Sequence, residues 1–217
     1  MLVPGTAMSR IRASLRNRIP HSLLTTRLPK SSGDAVLMTF DDGPCPEVTP
    51  VVLERLRDFG ARAVFFLVGE RAKRHPDLAR RIVDEGHFVG NHSYAHAEPP
   101  FWPRTYREEV LKCQHAIRSA TGVTPTMFRP PYGRLRPSTI FGPRSLGLRV
   151  VGWSVETRDW RCRSDADAKA TAERLVVEAR DIILMHDDNR CVVPILDAIL
   201  PELRRRFDLA SGAEHCG

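Results

Sequence analysis

Five short stretches of this chain carry side chains able to bind a cation or move a proton. Asp41 and Asp42 are adjacent carboxylates leading into Gly43-Pro44. His92 and His96 hold two imidazoles four residues apart in His-Ser-Tyr-Ala-His, a spacing that suits two ligands of one cation. Arg129 and Tyr132 lie in the stiff run Arg-Pro-Pro-Tyr-Gly, Asp159 precedes Trp160, and His186 ends Leu184-Met185-His186 and is followed by Asp187. Each stretch alone has a plain structural alternative. Paired aspartates cap turns, histidines four apart meet on surfaces by coincidence, Pro-rich loops are merely stiff, and a histidine ending an apolar run is commonly a satisfied, half-buried side chain.

The elements that must position these groups are short apolar runs alternating with amphipathic stretches. Ala35–Phe40 and Ala63–Val68 read as buried strands, His87–Gly90 as a short one, followed by strands at Met127–Arg129, Arg149–Val155 and Ile182–His186. Between them, helical spacing places Val48, Val52, Leu56 and Phe59 on one face and stops at Gly60. Further helices open at His75-Pro76, near Thr105, and around Ala168, with a weak one broken by Gly142-Pro143 and a last one expected to kink at Pro201. This βα alternation calls for a mainly parallel sheet or barrel, whose chemistry collects at the C-terminal ends of the strands. Asp41 and Asp42, His92 and His96, Arg129 and Tyr132, Asp159 and Trp160, and His186 each end or follow a predicted strand. A scaffold without chemistry would fill those positions with Gly, Asn, Ser and scattered lysines.

The 217 residues suffice for one domain, and 42% hydrophobic with 27% charged residues are globular proportions. The net charge of +7 suggests nucleic acid, but residues 1–30 hold six basic residues and no acidic one, so the remainder is close to neutral. No apolar run reaches the ~20 residues of a membrane span, and no apolar stretch follows the early arginines as in a secretory signal, which favours a cytoplasmic protein. The 5 cysteines are scattered and form no CxxC pair.

From about residue 35 to 207 the chain resembles the polysaccharide deacetylase family, whose catalytic domain is the NodB homology domain, of the carbohydrate esterase family 4 type. Thr39-Phe40-Asp41-Asp42-Gly43, His92-Ser93-Tyr94-Ala95-His96, Arg129-Pro130-Pro131-Tyr132-Gly133 and Leu184-Met185-His186 match its motifs in order. The resemblance implies an α/β fold, a distorted (β/α)7-like barrel in a single domain over 34–210, with a basic leader at 1–33 and a tail at 211–217. It implies a divalent metal, zinc foremost with cobalt or manganese as alternatives, held by Asp42, His92 and His96. By the same resemblance Asp41 is the general base, His186 the general acid, Arg129 the holder of the base, and Asp159 the carboxylate that tunes the acid. Tyr132 supplies a backbone N–H to the oxyanion, and Trp160 and Leu184 form the pocket for the acetyl methyl. The fourth motif departs from the family's Asp-x-x-Asp-Trp, reading Glu156-Thr157-Arg158-Asp159-Trp160, and Cys45 beside the first motif is either an extra soft ligand or a plain loop cysteine.

The implied reaction removes acetyl from N-acetylated sugars in chitin oligomers, peptidoglycan or other polysaccharides, so the expected partner is such a glycan, with no nucleic acid and no membrane span. Competing readings are a non-catalytic carbohydrate-binding module on the same scaffold, an amidohydrolase for a non-sugar amide, and a nucleic-acid binder driven by the leader. Intact Asp41 and His186 argue against simple binding, and near-neutrality after residue 30 argues against nucleic acid.

Overall fold

The computed structural model describes residues 20 and 22–215. The predicted apolar runs become β1 (Leu37–Asp41), β2 (Ala63–Leu67), β3 (Phe88–Asn91), β4 (Met127–Phe128), β5 (Arg149–Val150), β6 (Val155–Glu156) and β7 (Ile182–His186). Their spatial order is β5-β4-β3-β2-β1-β7-β6, and every neighbouring pair is parallel. These seven parallel strands curl into a half-barrel within one α/β domain. The helices are α1 (Thr49–Asp58), α2 (Gly69–Arg74), α3 (Pro76–Asp84), α4 (Pro103–Thr121), α5 (Pro137–Arg144), α6 (Asp165–Arg174) and α7 (Val192–Arg206).

Both faces of such a sheet are covered, so its strands are apolar throughout rather than alternating. The outer face gives Met38, Phe40, Phe65, Leu67, Ile183 and Met185 to the main core, where they meet Leu53 and Leu56 of α1 and Ile195, Leu196 and Ile199 of α7. The inner face buries Leu37, Val64, Phe66, Met127, Val151 and Ile182. Side chains alternate with period two, and the register pairs Thr39 with Leu184, Asp41 with His186, Asp41 with Phe66, and Phe66 with Gly90. Asp41 and His186 therefore share the inner face at the C-terminal ends of adjacent strands, with Thr39 and Leu184 below them. Gly90 leaves room for the Phe66 ring, which a Cβ there would overlap.

The structure bears on three expectations. The single strand at Arg149–Val155 is two strands, β5 and β6, on opposite edges of the sheet. The chain crosses between them at Gly152–Ser154, where the Gly152 N–H donates to the Thr25 carbonyl. Part of the stretch read as a basic leader packs against the sheet. Leu24 and Leu28 are buried, Thr25 bridges Val151, and Arg27 lies 3.0 Å from Asp181, so this segment spans the gap between the sheet edges. Leu209 and Ala213 are buried at the other end, while residues 1–19, 21, 216 and 217 of the expected leader and tail lie outside the described residues. Finally, α7 includes Pro201 within its span, and α5 ends at Arg144, one residue past Pro143, as the Gly142-Pro143 pair led one to expect. Among the described residues no helix is long and apolar enough to cross a membrane.

Candidate active site

The loop leaving β1 turns sharply at Asp42, whose φ is 75°. That turn sends Asp41 and Asp42 in different directions. Asp42 meets the two histidines of the loop after β3: its Oδ1 is 3.0 Å from His96 Nε2 and 3.4 Å from His92 Nε2. Ser93 and His96 also take positive φ, of 64° and 52°, which folds the intervening residues tightly enough to bring both rings to one point. The ring centroids lie 5.0 Å apart.

His92 Nδ1 is 2.8 Å from the Arg129 carbonyl, which can only accept, so Nδ1 carries a proton and Nε2 is the nitrogen that faces Asp42. Asp42 Oδ1 is buried without a hydrogen-bond partner. One ligand atom from each of Asp42, His92 and His96 falls within 4.8 Å of the others. Burial opposes the charge of Asp42, but the two imidazoles outweigh it and hold the carboxyl well below its ordinary range. Burial likewise opposes protonation of His92, and the charges of Asp41 and Asp42 overcome it. A buried, unpartnered carboxylate oxygen facing two imidazole nitrogens is a donor set that fits a divalent cation, with one carboxylate and two histidines leaving coordination positions open.

Asp41 is set by a different group. Arg129 is fully buried, and its Nη1 donates to Asp41 Oδ1 at 2.8 Å and to Thr39 Oγ1 at 2.7 Å. Its Nη2 donates to the Gly152 carbonyl, and the guanidinium lies over the Phe66 ring. With Oδ1 occupied, Asp41 Oδ2 is the oxygen that faces the cation site, 3.7 Å from His92 Nε2.

On the adjacent strand, the Asp159 carboxylate grips His186 twice, through the ring Nδ1 at 2.8 Å and the backbone N–H at 2.7 Å. Asp159 is itself held: the Thr157 hydroxyl lies 3.1 Å from Oδ1, and the Asn189 amide donates to its carbonyl. Burial disfavours the protonated ring, yet Asp159 prevails and the His186 pKa is pushed up to about 9. Glu156, the odd residue of the fourth motif, sits on β6 with its carboxylate 3.8 Å from Arg158, apart from this pair.

At the rim, Tyr132 adopts a φ of 57°, its ring packs 4.6 Å from that of His96, and its hydroxyl donates to the His96 carbonyl. Trp160 is 45% exposed beside Asp159, whereas Leu184 is buried beneath His186. Phe101 and Trp102 form an exposed edge-to-face pair in the loop after His96. Cys45 points to Glu47 and is not in the cation cluster found among the described residues.

Several contributors escaped the sequence reading. Thr39 relays between Arg129 and the Ile183 carbonyl, and its place in the first motif was the available signal. Asp187, noted in the sequence only as the residue after His186, is buried against Gly43, where a Cβ would overlap its carboxylate, and it accepts from Thr49 at 2.5 Å. Burial pushes its pKa up to about 7.

A family model described as polysaccharide deacetylase matches residues 29–151. This chain belongs to that family. The peptidoglycan-N-acetylglucosamine deacetylase PgdA of Listeria monocytogenes serotype 1/2a is 35% identical over 201 residues, 89% of this chain and 41% of that protein. The chain thus spans less than half the length of that relative. The crystal structure of a peptidoglycan N-acetylglucosamine deacetylase superposes with a TM-score of 0.76 at 29% identity, covering 88% of this chain and 91% of that one. A pseudoenzyme of the same family from Bacillus anthracis superposes with the same TM-score of 0.76 at 25% identity, covering 87% of this chain and 67% of that one. Fold likeness alone therefore does not separate a working deacetylase from a silent one; the side chains of the site must.

Proposed function

We propose that the chain is a metal-dependent hydrolase that removes the acetyl group from N-acetylated sugars of peptidoglycan or chitin-type oligomers. The observation that carries this reading is the convergence of Asp42, His92 and His96 beside the uncommitted Oδ2 of Asp41, with the His186–Asp159 pair on the neighbouring strand. Binding a glycan without hydrolysing it would need neither a carboxylate oxygen held open nor a histidine kept protonated.

Asp42, His92 and His96 would hold the divalent cation, with zinc suited to this nitrogen and oxygen set, and the bound cation lowers the pKa of water and polarises the acetyl carbonyl. Asp41 Oδ2 takes the proton from the attacking water, because Arg129 fixes Oδ1 and leaves the other oxygen free. Water oxygen bonds to the carbonyl carbon, the carbon–nitrogen bond breaks, and acetate departs. The amine leaves with the proton given by His186 Nε2, since Nδ1 is committed to Asp159. The Tyr132 backbone N–H steadies the developing oxyanion, a kind of donor whose loss typically costs about 2.7–4 kcal/mol. Trp160 and Leu184 shape the recess for the acetyl methyl.

Incubation with N-acetylglucosamine oligomers and with peptidoglycan, followed by mass spectrometry, tests the assignment. The expected products have lost acetyl groups with every glycosidic bond intact. Unaltered glycans retained on the protein would support a binding module instead.

A further inference from the structure

The turn that presents Asp42 to the histidines is held by three consecutive carbonyls, each bonded from a different element. The Asp41 carbonyl accepts from the Asp187 N–H just beyond β7, and the Gly43 carbonyl from the Val68 N–H just beyond β2. Between them, the Asp42 carbonyl accepts from Arg71 Nη1 at 2.7 Å. Two of the donors are backbone groups that any sequence supplies. The third is a side chain on α2, a short helix of six residues that no sequence signal indicated.

The same Arg71 nitrogen also donates to Asp188 Oδ2 at 3.0 Å. Asp188 lies two residues beyond His186, so one nitrogen bridges the loop bearing the cation ligand and the loop that follows the proposed acid. Nη1 carries two hydrogens and satisfies both acceptors at once. The left-handed backbone of Asp42 is uncommon for a residue with a side chain and persists only where its surroundings hold it. A lysine in place of Arg71 would carry the charge but lack the planar fork.

We propose that Arg71 is a positioning residue for Asp42, and that the Arg71–Asp188 bridge couples the alignment of the cation site to that of the His186 loop. This rests on the deacetylase reading only in taking Asp42 as a metal ligand. Partners behind a metal ligand are commonly worth about 10–100-fold in metal affinity.

The test uses the full chain as wild type, Arg71→Gln, Arg71→Lys and Asp188→Asn. Zinc affinity is measured by chelator competition, the absorption bands of the cobalt(II) form are recorded, and the unfolding midpoint of the metal-free protein is followed. Arg71→Gln should bind zinc about 10–100-fold more weakly with altered cobalt bands, Arg71→Lys should recover part of the loss, and Asp188→Asn should fall between. Adding Asp188→Asn to Arg71→Gln should cost little more, because the bridge is already gone. Wild-type zinc affinity and cobalt bands in Arg71→Gln would overturn the proposal, including when its unfolding midpoint drops. If Arg71→Gln does not fold, the same two readouts on Arg71→Lys and Asp188→Asn decide. Failure of the wild type itself to bind zinc would defeat the metal-site reading, whereas zinc binding indifferent to Arg71 defeats this proposal alone.

Discussion

Asp159 binds both the ring and the backbone N–H of His186, so one buried carboxylate fixes the position and the tautomer of the histidine together. The bond to Nδ1 leaves Nε2 as the nitrogen that faces outward. A pKa of about 9 against the ordinary 6.5 corresponds to about 3 kcal/mol in favour of the protonated ring. The protonated ring contributes stability in full below pH 6.5, and that contribution is lost as pH rises through about 9. Asp159→Asn removes the charge while keeping the shape. Nuclear magnetic resonance titration of the metal-free protein should find His186 near 9 in the wild type and markedly lower in the variant. The alkaline limb of the acetate-release profile should move down in the same direction. An unmoved limb would show that His186 is not the acid.

Asp41 and Arg129 form the most deeply buried ion pair of the site, at 2.8 Å. Asp41→Asn should retain zinc, because Asp41 is outside the Asp42, His92 and His96 cluster. Its acetate release should fall by about 10²–10⁴, the usual worth of a positioned base. Arg129→Met should cost about 3–5 kcal/mol in urea unfolding, since it strands a buried carboxylate without its partner. Full acetate release by Asp41→Asn at saturating zinc would remove Asp41 from the base role.

The cation site should link metal to stability. A ligand that binds only the folded state at 100 times its Kd adds about 2.7 kcal/mol. Zinc should therefore raise the unfolding midpoint of the wild type and of Asp41→Asn. His92→Ala should show no such rise and no acetate release. Differential scanning fluorimetry with and without zinc reads the first effect directly, and a zinc-dependent rise in His92→Ala equal to that of the wild type would remove His92 from the ligand set.

Away from the site, His87 is buried against Phe65, and its Nδ1 accepts the Ala63 N–H. Burial pushes its pKa down to about 4. Between pH 6.5 and 4 the unfolded chain binds a proton there that the folded chain refuses, so stability falls as pH drops through that window. Comparing urea unfolding at neutral pH and near pH 4.5, the wild type should lose about 2 kcal/mol more than His87→Gln. Equal losses would mean that His87 is not neutral in the folded state.

The candidate residues were legible because parallel βα architecture places its chemistry where strands end, and those positions carry side chains that turns seldom need. Asp41, His92, Arg129 and His186 could be read as strand-end residues before any coordinates. The edges of the sheet were not legible in this way. Arg149–Val155 is a mostly apolar stretch interrupted by Gly152 and Ser154, and nothing in its periodicity reveals that β5 and β6 lie at opposite ends of the strand order. The N-terminal segment was equally hidden, since Leu23, Leu24 and Leu28 give no periodic signal, yet Leu24 and Leu28 are buried. Supporting side chains such as Thr39, Thr157 and Arg71 escaped for a related reason. Their importance lies in hydrogen bonds to groups far along the chain, and residue type alone does not announce a long-range partner.

Acetate release from an N-acetylglucosamine oligomer, followed through removal of metal by a chelator and readdition of zinc, reads whether hydrolysis depends on a cation held by Asp42, His92 and His96. The wild type should lose its activity with the metal and regain it with zinc, while His92→Ala stays silent throughout. Steady acetate release in the presence of excess chelator, or release by His92→Ala at the wild-type rate, would contradict a hydrolase built on Asp42, His92 and His96.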